Sequence, residues 1–135
     1  MGGRILLIED EGNILEAITF ILSRAGWEVQ GHGNGATAIE AVGRVAPDVV
    51  VLDVMLPGRS GLEILRDLRA SPKTAALPVL MLTAKGQAKD RETALELGAT
   101  AYLTKPFSNA DLLATVARLG VAQAPVTGGA GGGAG

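Results

Sequence analysis

Five polar side chains stand where short apolar runs end. They are the carboxylates of Glu9 and Asp10 after ILLI, Asp53 after VVVL, the hydroxyl of Thr83 after VLML, and the amine of Lys105 just past AYLT. If those runs are strands of a parallel sheet, the five groups meet at its carboxyl edge, where open α/β sheets place their ligands. Singly, each has an ordinary reading: Asp after a strand makes a turn or a cap, Thr there is common, and Lys before Pro is a surface residue. Together they define a chemistry. Like charges ~4 Å apart repel by roughly 4 kcal/mol at an effective dielectric near 20, and three carboxylates with one ammonium leave a negative excess. A divalent cation balances it, and hard oxygen ligands select Mg²⁺ over zinc. Mg²⁺ and Lys105 together then tolerate a phosphoryl group of about −2 charge on one carboxylate. The set suits phosphoryl transfer with a carboxylate as acceptor. Asp53 is the best acceptor because it ends the central apolar strand, whereas the adjacent Glu9 and Asp10 suit the metal.

The elements that must deliver these groups can be read from hydropathy. Apolar runs at Arg4 to Ile8, Trp27 to Gly31, Asp48 to Leu52, Pro78 to Leu82 and Ala101 to Leu103 alternate with segments of helical period. Leu15, Ile18, Leu22 and Ala25 recur at spacings of three and four, as do Leu62, Leu65 and Leu68, and Leu112, Val116 and Leu119. Ser60 with Glu63, and Ser108 with Asp111, predict reciprocal helix caps. Gly26 and Gly98 predict helix ends closed by a residue of positive φ. Five strand–helix pairs follow, giving a doubly wound α/β domain with a five-stranded parallel sheet covered on both faces. The alternating Trp27-Glu28-Val29-Gln30 predicts an edge strand. The helix from about Gln87 to Leu97 has only Ala88, Ala94, Leu95 and Leu97 to bury, so it is the most loosely held.

Composition excludes several classes. The chain has 135 residues, 47% apolar and 19% charged, with a net charge of −2 and neither sign gathered into a block. That fits one domain with a sizeable core and argues against an electrostatic nucleic-acid or membrane surface. Without Cys, and with His32 as the one imidazole, there are no disulfides, thiolate nucleophiles or cysteine zinc sites. No apolar run approaches the ~20 residues that span a bilayer, and MGGRILL lacks the features of a signal peptide, so a cytoplasmic protein is expected. Six of the 19 glycines fall between Gly128 and Gly135, in an uncharged stretch from Val121 that reads as a linker-like or disordered tail.

In order and spacing, ILLIEDE, VVVLDVMLPGRSGLEIL, VLMLTA and AYLTKPF resemble the receiver domain of bacterial two-component response regulators, the MLPG segment being closest to the PhoB and OmpR type. The resemblance covers Arg4 to about Leu119 and implies a receiver domain over residues 1–120, with 121–135 as the tail. It implies strand order 2-1-3-4-5, the order of the chemotaxis receiver. It further implies that Asp53 takes a phosphoryl group from a phosphohistidine on a sensor kinase or phosphotransfer protein. Glu9, Asp10, Asp53 and the backbone carbonyl of Met55 would hold Mg²⁺, Thr83 and Lys105 would bind phosphoryl oxygens, and Lys105-Pro106 would be a cis peptide. On phosphorylation Thr83 would move toward the phosphoryl group and Tyr102 inward, switching a surface of the fourth helix, fifth strand and fifth helix for a downstream protein target. The other reading of Tyr102 is a half-buried aromatic packing on helices. Such a domain is not an enzyme beyond its own phosphoryl transfer and autodephosphorylation.

Departures refine these expectations. Glu-Asp stands where Asp-Asp is more usual, opening a water-bridged route from Glu9 to the metal. Thr100 and Ala101 replace an acidic pair that joins interface salt bridges in the PhoB and OmpR type, and the fifth helix has only Arg118 as a basic residue, which leaves a monomer or weak homodimer. Apolar Met55 and Lys85 occupy positions that tune dephosphorylation in similar proteins. Gly31-His32-Gly33-Asn34-Gly35-Ala36 fits a dinucleotide-binding pattern but follows the second strand instead of the central first one. His32 reads as a solvated turn residue. No helix-turn-helix or basic recognition helix is present, so no direct nucleic-acid binding is expected. A stand-alone receiver and the receiver part of a longer regulator fit equally. A second class of function is a receiver fold kept as an interaction module without phosphorylation; such domains lose the acceptor, the lysine or the acidic pair, and all are present here.

Overall fold

The apolar runs pair into one parallel sheet of order β2-β1-β3-β4-β5, formed by β1 (Arg4–Ile8), β2 (Glu28–His32), β3 (Val49–Asp53), β4 (Val79–Thr83) and β5 (Ala101–Thr104). The computed structural model describes residues 3–84 and 87–123. The helices are α1 (Gly12–Arg24), α2 (Ala38–Val45, entered through a 3₁₀ turn at Gly35–Thr37), α3 (Gly61–Ala70), α4 (Ala88–Glu96) and α5 (Asn109–Gln123). Both faces of the sheet are covered, and every residue of β3 and β4 is buried. Alternate strand residues feed two cores. Leu6, Ile8, Val50, Leu52 and Met81 pack with α2, α3 and α4, while Ile5, Leu7, Val51, Leu80 and Leu82 pack with α1 and α5.

β2 lies at an edge and has no fully buried residue, as its alternation predicts. Three strands run one residue later than expected: β2 ends at His32, β3 at Asp53 and β4 at Thr83. The parallel ladder carries pairing through the polar residues, since Asp53 aligns with Leu82 and Thr83 with Thr104. The acceptor candidate is therefore part of the sheet and not of a loop.

Helix ends follow the glycines where expected. Gly26 and Gly98 have φ of 102° and 101°. The serine caps form only in part: Ser60 Oγ accepts the Leu62 N–H at 3.1 Å and Ser108 Oγ accepts the Asp111 N–H at 3.0 Å. Glu63 does not return the bond to Ser60, because it pairs with Arg59. Ala25, expected on the apolar stripe of α1, is instead its exposed C-terminal cap. α5 continues to Gln123, beyond the expected end of periodicity near Leu119, and residues 124–135 lie outside the described residues.

α4 buries less than its sequence predicts. Among the described residues only Ala94 of this helix is buried, while Ala88 is exposed and Leu95 is 52% exposed. α3 buries Ile64, Leu65 and Leu68, each worth about 1.5–3 kcal/mol, against a single methyl group from α4. No described helix is long and apolar enough to cross a membrane.

Candidate functional site

β1 and β3 are adjacent, with Ile8 aligned to Leu52, so the residues that follow this pair, Glu9 and Asp53, emerge side by side. Both are almost fully buried, at 1% and 3% exposure, while Asp10 faces solvent. One carboxylate oxygen from each of Glu9, Asp10 and Asp53 lies within 4.8 Å of the others. Lys105, delivered by β5, donates from Nζ to Asp53 Oδ2 at 2.7 Å and stands 3.6 Å from Glu9 Oε1. The Met55 N–H donates to Asp53 Oδ1 at 3.0 Å, so each oxygen of the acceptor candidate has a donor. The Lys105–Pro106 peptide is cis, as the resemblance implied.

One ammonium is too little charge for this pocket. Glu9 Oε2 accepts the Glu11 N–H at 3.2 Å, but buried Oε1 has no hydrogen-bond partner among the described residues. Burial pushes the Glu9 carboxyl up to about 7, helped by the neighbouring Asp53 carboxylate; the Glu11 N–H and Lys105 oppose the rise. For Lys105, burial disfavours the ammonium, yet the hydrogen bond to Asp53 and the charges of Asp53 and Glu9 outweigh it and raise its pKa. An all-oxygen donor set with an orphaned buried carboxylate oxygen and a negative excess fits a hard divalent cation.

Thr83 is buried at the end of β4, and its hydroxyl donates to Leu103 O at 3.4 Å and lies 3.3 Å from Thr104 Oγ1. It is thus turned toward β5. Tyr102 is 37% exposed, with the Arg91 guanidinium 5.9 Å from its ring centroid. Met55 is 68% exposed beside the acidic pocket. Lys85 lies outside the described residues.

The glycines that shape the pocket have other tasks than phosphate binding. In Gly31–Ala36, a Cβ on Gly35 would stand 2.6 Å from Arg59 O, so this glycine admits the loop between β3 and α3. Asn34 Oδ1 accepts the Ala36 N–H at 2.8 Å and caps the 3₁₀ turn. His32 Nε2 bonds Thr37 Oγ1 at 2.8 Å, a turn contact. Sequence reasoning missed Thr104 as the partner of Thr83 and Arg91 as the partner of Tyr102. The first depends on strand register, and the second on the rotation of α4 over β5.

Residues 5–117 match the protein family described as the response regulator receiver domain. The chain belongs to that family. Among solved structures, this receiver is 33% identical to the BeF₃-activated N-terminal receiver domain of RstA from Klebsiella pneumoniae, with a TM-score of 0.80 over 87% of this chain and 97% of that one. It is 30% identical to the signal receiver domain of a signal transduction histidine kinase from Syntrophus aciditrophicus, with a TM-score of 0.83 over 90% and 92%. It is 28% identical to the chemotaxis response regulator CheY4 of Vibrio cholerae, with a TM-score of 0.81 over 88% and 99%. The receiver fold, the flavodoxin-like sheet order and membership of two-component signalling are thereby settled. Receiver domains bind Mg²⁺ at an acidic pocket, and in this receiver the acidic cluster is Glu9, Asp10 and Asp53.

Proposed function

We propose that Asp53 is the phosphoacceptor, taking its phosphoryl group from a phosphohistidine of a sensor kinase or a phosphotransfer protein. The observation that carries this reading is a buried carboxylate held at both oxygens, by Lys105 Nζ and the Met55 N–H, beside two further carboxylates. An Asp53 oxygen forms the bond to phosphorus as the P–N bond to the donor imidazole breaks. Lys105 holds Asp53 Oδ2 beforehand and afterwards faces the phosphoryl oxygens. Glu9, Asp10, Asp53 and the Met55 carbonyl would hold Mg²⁺, which when bound supplies positive charge to the phosphoryl oxygens. Thr83, released from Leu103 O, donates its hydroxyl to a phosphoryl oxygen, and Tyr102 turns inward. The face of α4, β5 and α5 then changes for a downstream protein.

Incubation with Mg²⁺ and a small phosphodonor, followed by intact-mass measurement, tests this. The wild type is expected to gain about 80 Da, one phosphoryl group, and Asp53→Asn to gain nothing. Equal gain in both removes Asp53 as the acceptor, and no gain in the wild type removes the acceptor role altogether and favours a phosphorylation-independent interaction module.

The lifetime of the phosphorylated state follows from Met55. Its exposed side chain has no hydrogen-bond donor or strong acceptor with which to orient an attacking water. Slow decay by chemotaxis-receiver standards is expected after removal of the phosphodonor, and first-order decay complete within seconds would contradict it. Met55→Asn is expected to shorten the lifetime by about tenfold, the order of effect of one positioned polar group.

A further inference from the structure

The two ends of α4 are held unequally. Beyond its C-terminal end, Arg69 of α3 donates from Nε to Gly98 O at 2.8 Å, from Nη1 to Thr74 O at 3.2 Å and from Nη2 to Thr100 Oγ1 at 3.2 Å. Thr100 Oγ1 also accepts the Val79 N–H at 3.0 Å, tying this clasp to the start of β4. The guanidinium thus meets a carbonyl just past the C-terminal end of α4, where a cation is favoured, and another in the turn that follows α3. At the other end Gln87 offers no side-chain cap and Ala88 and Lys89 are exposed. Between the ends, Ala94 is the buried contact, and the Arg91 guanidinium stands over the Tyr102 ring. Arg91 makes no ion pair among the described residues, so its charge is not committed to a carboxylate.

We propose that Arg91 is a positioning residue that latches Tyr102 outward, so that the Arg91–Tyr102 contact sets the balance between the outward and inward rings. The inference rests on the switch reading of Thr83 and Tyr102 given above. A contact shifts a two-state equilibrium only if it exists in one state and not in the other. Here the ring lies 37% exposed beneath the guanidinium, and turning it inward removes its face from the cation. Thr83 is engaged on the same strand, through Leu103 O and Thr104 Oγ1, so the two groups that must move share β5 as their resting place. With the C-terminal end of α4 clasped by Arg69, loss of the latch frees the part of α4 nearest the acidic pocket.

Tyr102 is the one tyrosine of the chain, so fluorotyrosine labelling gives a single fluorine resonance from this ring. Without any ligand, Arg91→Ala is expected to reduce the solvent isotope shift of that resonance, as the ring moves inward, while Arg91→Lys keeps most of it. With Mg²⁺ and beryllofluoride as the phosphoryl mimic, Arg91→Ala is expected to bind about two- to fivefold more tightly than wild type, the weight of one exposed cation–π contact. In a Tyr102→Ala background the same substitution is expected to have no effect. An unchanged isotope shift in Arg91→Ala, or the same gain in affinity without the tyrosine, overturns the latch. If wild type and Asp53→Asn alike fail to bind beryllofluoride, the acceptor reading fails instead, and the ligand-free fluorine comparison still decides the latch.

Discussion

Gly61→Ala is expected to destabilise the domain by at least ~3 kcal/mol and to lower its melting temperature by roughly 10 °C. A Cβ at this position would stand 2.1 Å from Asp53 O, 2.9 Å from the Asp53 carbonyl carbon and 3.0 Å from Val54 Cα. All three atoms are backbone, so no side-chain rotation relieves the clash. The Gly61 N–H also donates to Val54 O at 2.9 Å, which holds α3 directly against the end of β3. Relief requires α3 or the β3 terminus to move, and Asp53 moves with it. Reduced incorporation of phosphoryl groups is therefore expected alongside the loss of stability. Gly43→Ala provides the contrast: within α2, nothing lies within 4 Å of the added methyl. It is expected to stabilise by about 0.5–1 kcal/mol through helix propensity. Thermal or denaturant unfolding of both variants checks the pair; a Gly61→Ala protein as stable as wild type would refute the close-approach argument.

That contrast also marks what sequence could and could not convey. VVVL and VLML announce strands buried on both faces because burial leaves a compositional trace, and the polar residues ending them locate the site because parallel strands share a carboxyl edge. Gly26 and Gly98 were legible for a local reason, the positive φ that closes a helix. Gly61 looks like any turn glycine, since its constraint comes from the backbone of Asp53, eight positions earlier. The extra strand residues at Asp53 and Thr83 arise from ladder pairing with neighbours, which hydropathy does not encode. Leu95 reads as a buried position but is half exposed, because a helix with one buried methyl group has little apolar surface to fix its rotation. Arg69 was silent for the same reason as Thr104: its partners, Thr74, Gly98 and Thr100, come from segments joined only in space. The acidic pair itself was legible, but the division of labour within it was not. Both carboxylates precede α1, yet Glu9 is buried and Asp10 exposed, so the electrostatic cost of the pocket is concentrated on Glu9.

In metal-free buffer Glu9→Gln is accordingly expected to stabilise the receiver. The wild-type carboxyl is raised from its ordinary 4.5 to about 7 by burial and by the neighbouring Asp53 carboxylate. Below the ordinary value the group is protonated whether folded or unfolded, and it costs nothing. Between there and about 7 the folded protein holds a proton that the unfolded chain has released, so stability falls as pH rises. Above this window the loss is complete and amounts to ~3 kcal/mol or less. The substituted amide carries no charge, and its oxygen can accept the Glu11 N–H while its nitrogen faces Asp53. The variant should therefore melt higher than wild type at about pH 8 in the presence of a chelator, by several degrees, and the gap should close toward about pH 4. Saturating Mg²⁺ should reverse the order. A ligand that binds only the folded state stabilises it by mass action, and the variant has lost one of the carboxylates proposed to hold the ion. Its Mg²⁺ affinity should fall by about tenfold or more, read by titration of the single Trp27 fluorescence or by the metal-induced rise in melting temperature. Equal melting of the two proteins with chelator at about pH 8 would show that Glu9 bears no electrostatic penalty, and equal responses to Mg²⁺ would remove it from the proposed ligand set. Because one substitution is expected to raise stability and to weaken metal binding, the two results together separate a pocket built to receive a cation from one that merely tolerates its acids.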